Sequence, residues 1–211
     1  PMTVLITGGA GFLGSHLSDA LLRRGDDVTI LDVIGDLRVR HQLDNPHFRY
    51  VRDSVLNGEI LDGLVARSDL VYHLAAVVGV EHYVGDPYQV LNVNINGTHY
   101  ILAALKNAAP HCRFYFAGTS EMFGKVQQVP QTEKTPFYPR SPYGVAKLYA
   151  YWICVNYREA YKIHASNGIL FNHESPVRGE TFVTRKITRA VAAIHLGRED
   201  CLFIGNLDAK R

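Results

Sequence analysis

The sequence has few cysteines, little surplus charge and no long apolar run. Its 3 cysteines are odd in number and far apart, which favours reduced thiols over a disulfide framework. The 22 basic and 20 acidic residues leave a net charge of +2, so bulk charge gives no reason to expect binding to nucleic acid or to a membrane. No apolar run approaches the length of a membrane span and the N-terminus shows no signal-peptide pattern, so we expect a cytoplasmic protein.

Metal-binding spacings are also missing. The chain has 10 histidines, but none stands in an H-E-x-x-H pattern and no Cys-x-x-Cys pair accompanies them. We therefore expect no metal site. What the sequence does have is a hydrophobic fraction of 47% in 211 residues, enough for the core of one α/β domain with a further fragment.

Short apolar segments alternate with helical patterns along the chain. Strands are predicted at residues 3–7, 28–32, 48–51, 70–75, 113–117 and 166–171. Helices are predicted after the first strand up to Gly25, and at residues 54–66, 87–109, 142–161 and 182–196. This alternation predicts an α/β fold with a doubly wound parallel sheet, the Rossmann fold. We expect a dinucleotide-binding domain over residues 1–171 and part of a smaller substrate-binding region over residues 172–211.

A glycine-rich turn joins the first strand to the first helix. Its G-x-x-G-x-x-G pattern lets the backbone turn tightly and approach a pyrophosphate, which then faces the N–H groups of the helix N-terminus. The predicted contacts are Gly8, Gly11, Phe12, Leu13 and Gly14.

Asp32 ends the second predicted strand, where an acid can accept hydrogen bonds from the adenosine ribose and repels a 2′-phosphate. It favours NAD over NADP, although Arg38 and Arg40 nearby keep NADP possible. Asp53, after the third strand, is a further candidate contact to the adenine.

A tyrosine and a lysine stand four residues apart behind a helix-start signal. Ser141 can cap a helix and Pro142 suits its first turn, so Tyr143 and Lys147 should share one helix face. A lysine ammonium beside a phenol favours the phenolate, which lets Tyr143 act as a base.

The segment Thr119-Ser120-Glu121 follows the fifth predicted strand. Because the carboxyl ends of parallel strands form the ligand crevice of such a sheet, we expect these side chains over the cofactor site. A carboxylate is not needed to move a hydride, so Glu121 indicates the removal of a carbon-bound proton.

These motifs resemble a known superfamily. The glycine-rich turn, His73-Leu74-Ala75-Ala76, Asn94-x-x-Gly97-Thr98 and Tyr143-x-x-x-Lys147 are similar to those of extended short-chain dehydrogenases/reductases. Residues 119–127, 135–144, 146–152, 167–176, 182–188 and 205–211 closely resemble the GDP-mannose 4,6-dehydratase family. The chain is shorter than is usual for that family, so only the start of its nucleotide-sugar region is expected.

The resemblance implies a reaction and a set of residues. Tyr143, with Lys147, takes the proton of the sugar 4-hydroxyl as hydride leaves C4 for a tightly held NAD(P). Glu121 removes the C5 proton, water leaves C6 with help from Glu121 or Thr119, and hydride returns to C6. The substrate is GDP-mannose and the product GDP-4-dehydro-6-deoxy-mannose. Further implied contacts are Leu74, Ala75, Ala76, Tyr143 and Lys147 to the cofactor, and Thr119, Ser120, Glu121, Asn172, Arg178 and Lys186 to the substrate.

Two alternatives remain open from the residues. A nucleotide-sugar epimerase, reductase or decarboxylase of the same superfamily also begins at C4 and uses the tyrosine–lysine pair. A non-catalytic NAD-binding module is the other possibility. The resemblance also implies a homodimer or homotetramer, because related enzymes pair the helix after Pro142, which here carries Tyr149, Tyr151, Trp152, Tyr157 and Tyr161.

Overall fold

The computed structural model describes residues 1–78 and 85–208. The end of the resembling segment 205–211 therefore lies outside the described residues. The chain divides into two compact units, Pro1–Asn172 and His173–Arg211.

The first unit is built on one six-stranded parallel sheet, as the sequence predicts. Its strands are β1 (Thr3–Thr7), β2 (Asp27–Asp32), β3 (Phe48–Arg52), β4 (Leu70–His73), β5 (Arg113–Thr119) and β6 (Ala165–Leu170). Their order across the sheet is β3-β2-β1-β4-β5-β6, so the direction of winding reverses between β1 and β4. This is the doubly wound Rossmann topology, whose ligand crevice lies at such a reversal.

Helices cover both faces of this sheet. They are α1 (Phe12–Arg24), α2 (Gly58–Val65), α3 (Pro87–Leu91), α4 (Gly97–Ala108) and α5 (Pro142–Tyr161). Alternate residues of β1 enter different cores, because side chains alternate across a strand. Leu5 packs in the core that includes residues of α2, α4 and α5, whereas Val4 and Ile6 pack in the core that includes Leu21 of α1.

Among the differences between the predicted and the observed elements, three have a local reason. Strand β4 ends at His73 rather than at residue 75, because the Ala75 N–H donates to the Thr7 hydroxyl instead of continuing the ladder. Helix α2 begins at Gly58, since the Asn57 side chain caps it by accepting from the Ile60 N–H. The helix predicted over residues 87–109 is interrupted by a π-helical turn at Asn92–Asn96.

The second unit contains one regular helix among its described residues, α6 (Val183–His195). In the part of the chain that the structure describes, no helix is long and apolar enough to cross a membrane. Among the same residues, no group of three His, Cys, Asp or Glu side chains is placed to hold a metal ion.

Candidate active site

The carboxyl ends of four neighbouring strands carry the polar residues of the candidate site. Thr7 of β1 pairs in register with His73 of β4, and His73 pairs with Phe116 of β5. Asp32 ends β2 and Thr119 ends β5. Because the strands are parallel, these ends lie along one edge of the sheet, at the reversal between β1 and β4.

The glycine-rich turn leaves no room for a side chain at Gly8 or Gly14. Gly8 has φ +73°, and a Cβ there would lie 2.7 Å from the Ala75 nitrogen. A Cβ on Gly14 would lie 2.4 Å from the Gly8 carbonyl oxygen. Helix α1 starts at Phe12 with no acidic side chain in its first turn, and its N-cap Gly11 has no side chain to cap it. A close turn before a helix N-terminus without an acid fits the pyrophosphate of a dinucleotide.

Asp32 is bonded to the glycine-rich turn itself. Its Oδ2 accepts from the Ala10 N–H at 3.0 Å, and its Oδ1 accepts from the N–H groups of Val33 and Ile34 at 2.8 and 3.3 Å. A carboxylate has about four acceptor positions, so these three bonds leave capacity for a ribose hydroxyl. The acid therefore fixes the turn, and its predicted contact to the ribose stays a prediction.

Two further residues that the sequence links to cofactor binding have local partners. The Arg40 guanidinium forms an ion pair with the Asp36 carboxylate at 3.0 Å. Arg40 is one of the two arginines, with Arg38, that keep NADP possible on the sequence alone. Asp53 accepts from the Ser54 N–H at 2.7 Å and from the Asn57 amide at 3.2 Å. The predicted adenine contact of Asp53 stays a prediction.

The loop after β4 forms a wall beside this turn. Leu74, Ala75 and Ala76 are half-buried, and the Leu74 N–H donates to the Thr7 carbonyl oxygen at 3.0 Å. The contact between Gly8 and Ala75 puts the loop directly against the glycine-rich turn. The residues predicted to contact the cofactor in these two segments are thus brought together.

Tyr143 and Lys147 lie on the first turns of α5, as predicted. The Ser141 hydroxyl accepts from the Gly144 N–H at 3.0 Å and caps the helix. Lys147 is buried; its ammonium donates to the Ala117 carbonyl oxygen at 2.9 Å and lies 5.9 Å from the centroid of the Tyr143 ring.

Burial lowers the pKa of Lys147 to about 8. The cause is desolvation, which disfavours the charged form of the side chain. The ammonium also lies 4.8 Å from the centroid of the Phe116 ring, a contact that favours the cation.

Glu121 lies close to the start of the same helix. It belongs to the 3-10 turn Ser120–Met122, and its N–H donates to the Thr119 hydroxyl at 3.2 Å. A Cβ on Gly144 would lie 2.8 Å from the Glu121 carbonyl oxygen, so the two backbones touch. The structure thereby brings Thr119, Ser120 and Glu121 next to the helix turn that carries Tyr143.

The remaining predicted substrate contacts fall at the end of the first unit and in the second. Asn172 is the exposed last residue of the first unit. Within the second unit, the Arg178 guanidinium lies 3.5 Å from the Phe182 ring centroid, and the Lys186 ammonium donates to the Phe203 carbonyl oxygen at 3.0 Å. The roles of all three in substrate binding stay predictions.

Sequence reasoning missed the residues that hold the loop after β4. The Asn94 side chain bonds both the N–H and the carbonyl of Val77, at 2.9 and 3.2 Å. Thr7 and Thr98 flank the buried His73 imidazole. The Asn94-x-x-Gly97-Thr98 spacing was a signal for a shared helix face, but it did not show what that face would contact.

Comparison with known proteins decides the family. A family model described as GDP-mannose 4,6 dehydratase matches residues 5–211. The chain is 47% identical over 220 residues to GDP-mannose 4,6-dehydratase of Sinorhizobium fredii, and 45% identical over 223 residues to GDP-mannose 4,6 dehydratase of Homo sapiens. The chain belongs to the GDP-mannose 4,6-dehydratase family. Each match covers 98% of this chain but only 63% and 59% of these two relatives, so the chain spans about three fifths of their length.

Solved structures agree on the architecture. A UDP-glucuronic acid 4-epimerase from Bacillus cereus, in complex with UDP-glucuronic acid and NAD, is 30% identical with a TM-score of 0.82. The match covers 90% of this chain and 63% of that protein. The predicted resemblance to the GDP-mannose 4,6-dehydratases is confirmed, and so is the Rossmann fold.

Proposed function

We propose that this chain carries the dinucleotide site and the catalytic residues of a GDP-mannose 4,6-dehydratase. The observation that carries the proposal is the placement of Glu121 beside the helix turn that bears Tyr143 and Lys147. Membership of the family supports GDP-mannose as the substrate and GDP-4-dehydro-6-deoxy-mannose as the product. The reaction is an elimination of water, which makes the enzyme a lyase.

The glycine-rich turn, Asp32 and the loop of Leu74, Ala75 and Ala76 would hold the cofactor, a nicotinamide dinucleotide. When bound, it supplies an acceptor for hydride from C4 and a donor of hydride to C6. Because it is restored in each cycle, we expect it to be held tightly. The Asp32 carboxylate favours NAD over NADP by repelling a 2′-phosphate.

Tyr143 and Lys147 act on the 4-hydroxyl of the sugar. The phenolate form of Tyr143 takes the hydroxyl proton while the C4–H bond breaks. The Lys147 ammonium supports the phenolate through its positive charge. Its hydrogen bond to Ala117 holds the ammonium on the side of the helix that faces β5.

Glu121 and Thr119 carry the elimination. The new 4-keto group acidifies the C5 hydrogen, and the Glu121 carboxylate removes it as a proton. The C6–O bond then breaks, and the departing hydroxide leaves as water with a proton from Glu121 or with help from Thr119. Solvent supplies the proton that returns to C5, and Tyr143 releases the proton of the 4-hydroxyl to solvent, so the net change is the loss of one water.

The mass of the product distinguishes dehydration from epimerisation, the second candidate function. Incubation of the protein with GDP-mannose and NAD should yield a sugar nucleotide lighter by one water, with no net reduction of NAD. The likeness to a 4-epimerase favours epimerisation as the second candidate. An isomer of unchanged mass would support that candidate and overturn dehydration, because 4-epimerisation needs no removal of a C5 proton.

Cofactor choice is tested by affinity. Wild type should bind NAD more tightly than NADP, and Asp32→Ala should lose this preference while weakening NAD binding. Tighter binding of NADP by the wild type would contradict the role proposed for Asp32.

A further inference from the structure

Four buried polar side chains link the end of β1, the end of β4 and the π-helical turn. None is more than 2% exposed: Thr7, His73, Asn94 and Thr98. The His73 Nδ1 lies 2.7 Å from the Thr7 hydroxyl oxygen, and its Nε2 lies 2.9 Å from that of Thr98. A buried polar group that loses its partner destabilises the fold, so the arrangement of protons in this set is constrained.

The protons of this set run in one direction. The Thr98 hydroxyl donates to the backbone carbonyl oxygen of Asn94 at 3.0 Å. The Thr98 hydroxyl oxygen therefore accepts from the N–H on His73 Nε2. The His73 Nδ1 is then an acceptor and takes the proton of the Thr7 hydroxyl. The Thr7 oxygen accepts in turn from the Ala75 N–H at 3.3 Å. Every group has a partner when the imidazole is neutral with its proton on Nε2.

Both ends of this hydrogen-bonded chain hold the same loop. At one end Thr7 holds the N–H of Ala75, and at the other the Asn94 side chain holds both polar backbone groups of Val77. Ala75 lies against Gly8, where a Cβ would be only 2.7 Å from its nitrogen. The position of residues 74–77 therefore sets one wall of the glycine-rich turn.

We propose that His73 is a positioning residue, which through Thr7 and Thr98 holds residues 74–77 against the glycine-rich turn in the geometry that binds the dinucleotide. Its link to cofactor affinity rests on the proposed function. The imidazole is covered by the rings of Phe114 and Phe116, with centroids 6.2 and 5.9 Å away. Burial lowers the pKa of His73 to about 3, with Lys147 adding to the shift, so the ring stays neutral near pH 7.

Paired substitutions at the two threonines test this role. Thr7→Val and Thr98→Val remove a hydroxyl at nearly constant volume, whereas Thr7→Ser and Thr98→Ser keep it. The matched control is Ser68→Ala, which removes a buried hydroxyl that donates to the Leu64 carbonyl oxygen at 2.8 Å beyond the end of α2. The readouts are NAD affinity by calorimetry, urea unfolding, amide exchange at Ala75 and Val77, and the ¹⁵N shifts of the His73 imidazole.

The valine variants should weaken NAD binding about tenfold, the effect of one lost hydrogen bond, and should speed amide exchange at Ala75 and Val77. The serine variants should stay within about twofold of wild type. Ser68→Ala should lower stability yet leave NAD affinity unchanged.

Three results would overturn or separate the claims. If the valine variants lose stability like Ser68→Ala but keep wild-type NAD affinity, the four buried polar residues contribute to stability and do not position the loop for NAD. A His73 proton found on Nδ1 would refute the direction of the hydrogen bonds. If wild type binds neither NAD nor NADP, the proposed function fails, and amide exchange at Ala75 and Val77 alone then decides whether His73 positions the loop.

Discussion

At the scale of single residues, the pH dependence of stability tests the environment of the buried Lys147 side chain. Its side chain is 3% exposed and donates to the Ala117 carbonyl oxygen, so the folded protein carries a charge that burial disfavours. The charge is retained beside Tyr143, where the proposed chemistry uses it. Stability and function therefore place opposite demands on this one side chain.

The stability cost of Lys147 should disappear as the pH rises. Its pKa falls from 10.5 to about 8 on folding, so between these values the unfolded chain binds the extra proton and rising pH favours the folded state. The free energy of unfolding of wild type minus that of Lys147→Met should rise by ~2 kcal/mol between pH 8 and 10. Urea unfolding across this range checks it, with exposed Lys162→Met as the control. A flat difference would show that burial does not lower the pKa of Lys147.

Glu121 should matter for turnover and not for cofactor binding. Replacing it with Gln keeps the size of the side chain but removes the base, so product formation should fall about 10²–10⁴-fold. NAD affinity should stay close to that of wild type. The exposed Glu133, in the loop before α5, offers the control Glu133→Gln, which should retain wild-type turnover. Near-normal turnover of Glu121→Gln would show that Glu121 is not the base that removes the C5 proton.

At the scale of elements, the glycine-rich turn is a packing requirement as well as a binding site. Gly14→Ala would put a Cβ 2.4 Å from the Gly8 oxygen, so α1 must shift; we expect a loss of about 1–3 kcal/mol in stability and weaker NAD binding. Gly58→Ala, at the start of α2, meets nothing within 4 Å and should be neutral or stabilising by up to ~1 kcal/mol. Chemical denaturation and calorimetry measure both. A Gly14→Ala protein as stable as Gly58→Ala would contradict the geometry.

The elements differ in how far sequence predicts them. The cap of α5 by Ser141 and the glycine-rich turn were predicted, because their chemistry acts over a few neighbouring residues. The bonds of His73 were not predicted, because Thr7 and His73 lie 66 positions apart and meet only once the sheet forms. Asp32 was expected to face a ribose. Its bond to the Ala10 N–H was not predicted, because the two residues lie 22 positions apart in the sequence.

At the scale of the whole molecule, α5 presents an exposed apolar stripe. Val145, Tyr149 and Trp152 follow helical spacing and are 49%, 39% and 56% exposed. Tyr149 also stacks on His99 of α4, with ring centroids 6.1 Å apart. An exposed stripe of this kind fits a second copy of the chain, in line with the predicted homodimer or homotetramer.

Trp152→Glu should therefore prevent the predicted homodimer or homotetramer from forming. A charge in a buried interface costs far more than the same charge in water, so the mass by light scattering should fall to that of one chain. Ala20→Glu, on the exposed side of α1, should leave the oligomer intact. A monomeric wild-type protein would contradict the prediction of a homodimer or homotetramer.

Turnover of GDP-mannose in D₂O is the most direct test of whether the proposed site removes a C5 proton and eliminates water. We expect mass spectrometry and NMR to show a product that has lost one water and carries one solvent deuterium at C5. Glu121→Gln should abolish this incorporation. An isomer of GDP-mannose with unchanged mass and no deuterium at C5 would rule out dehydration by this site.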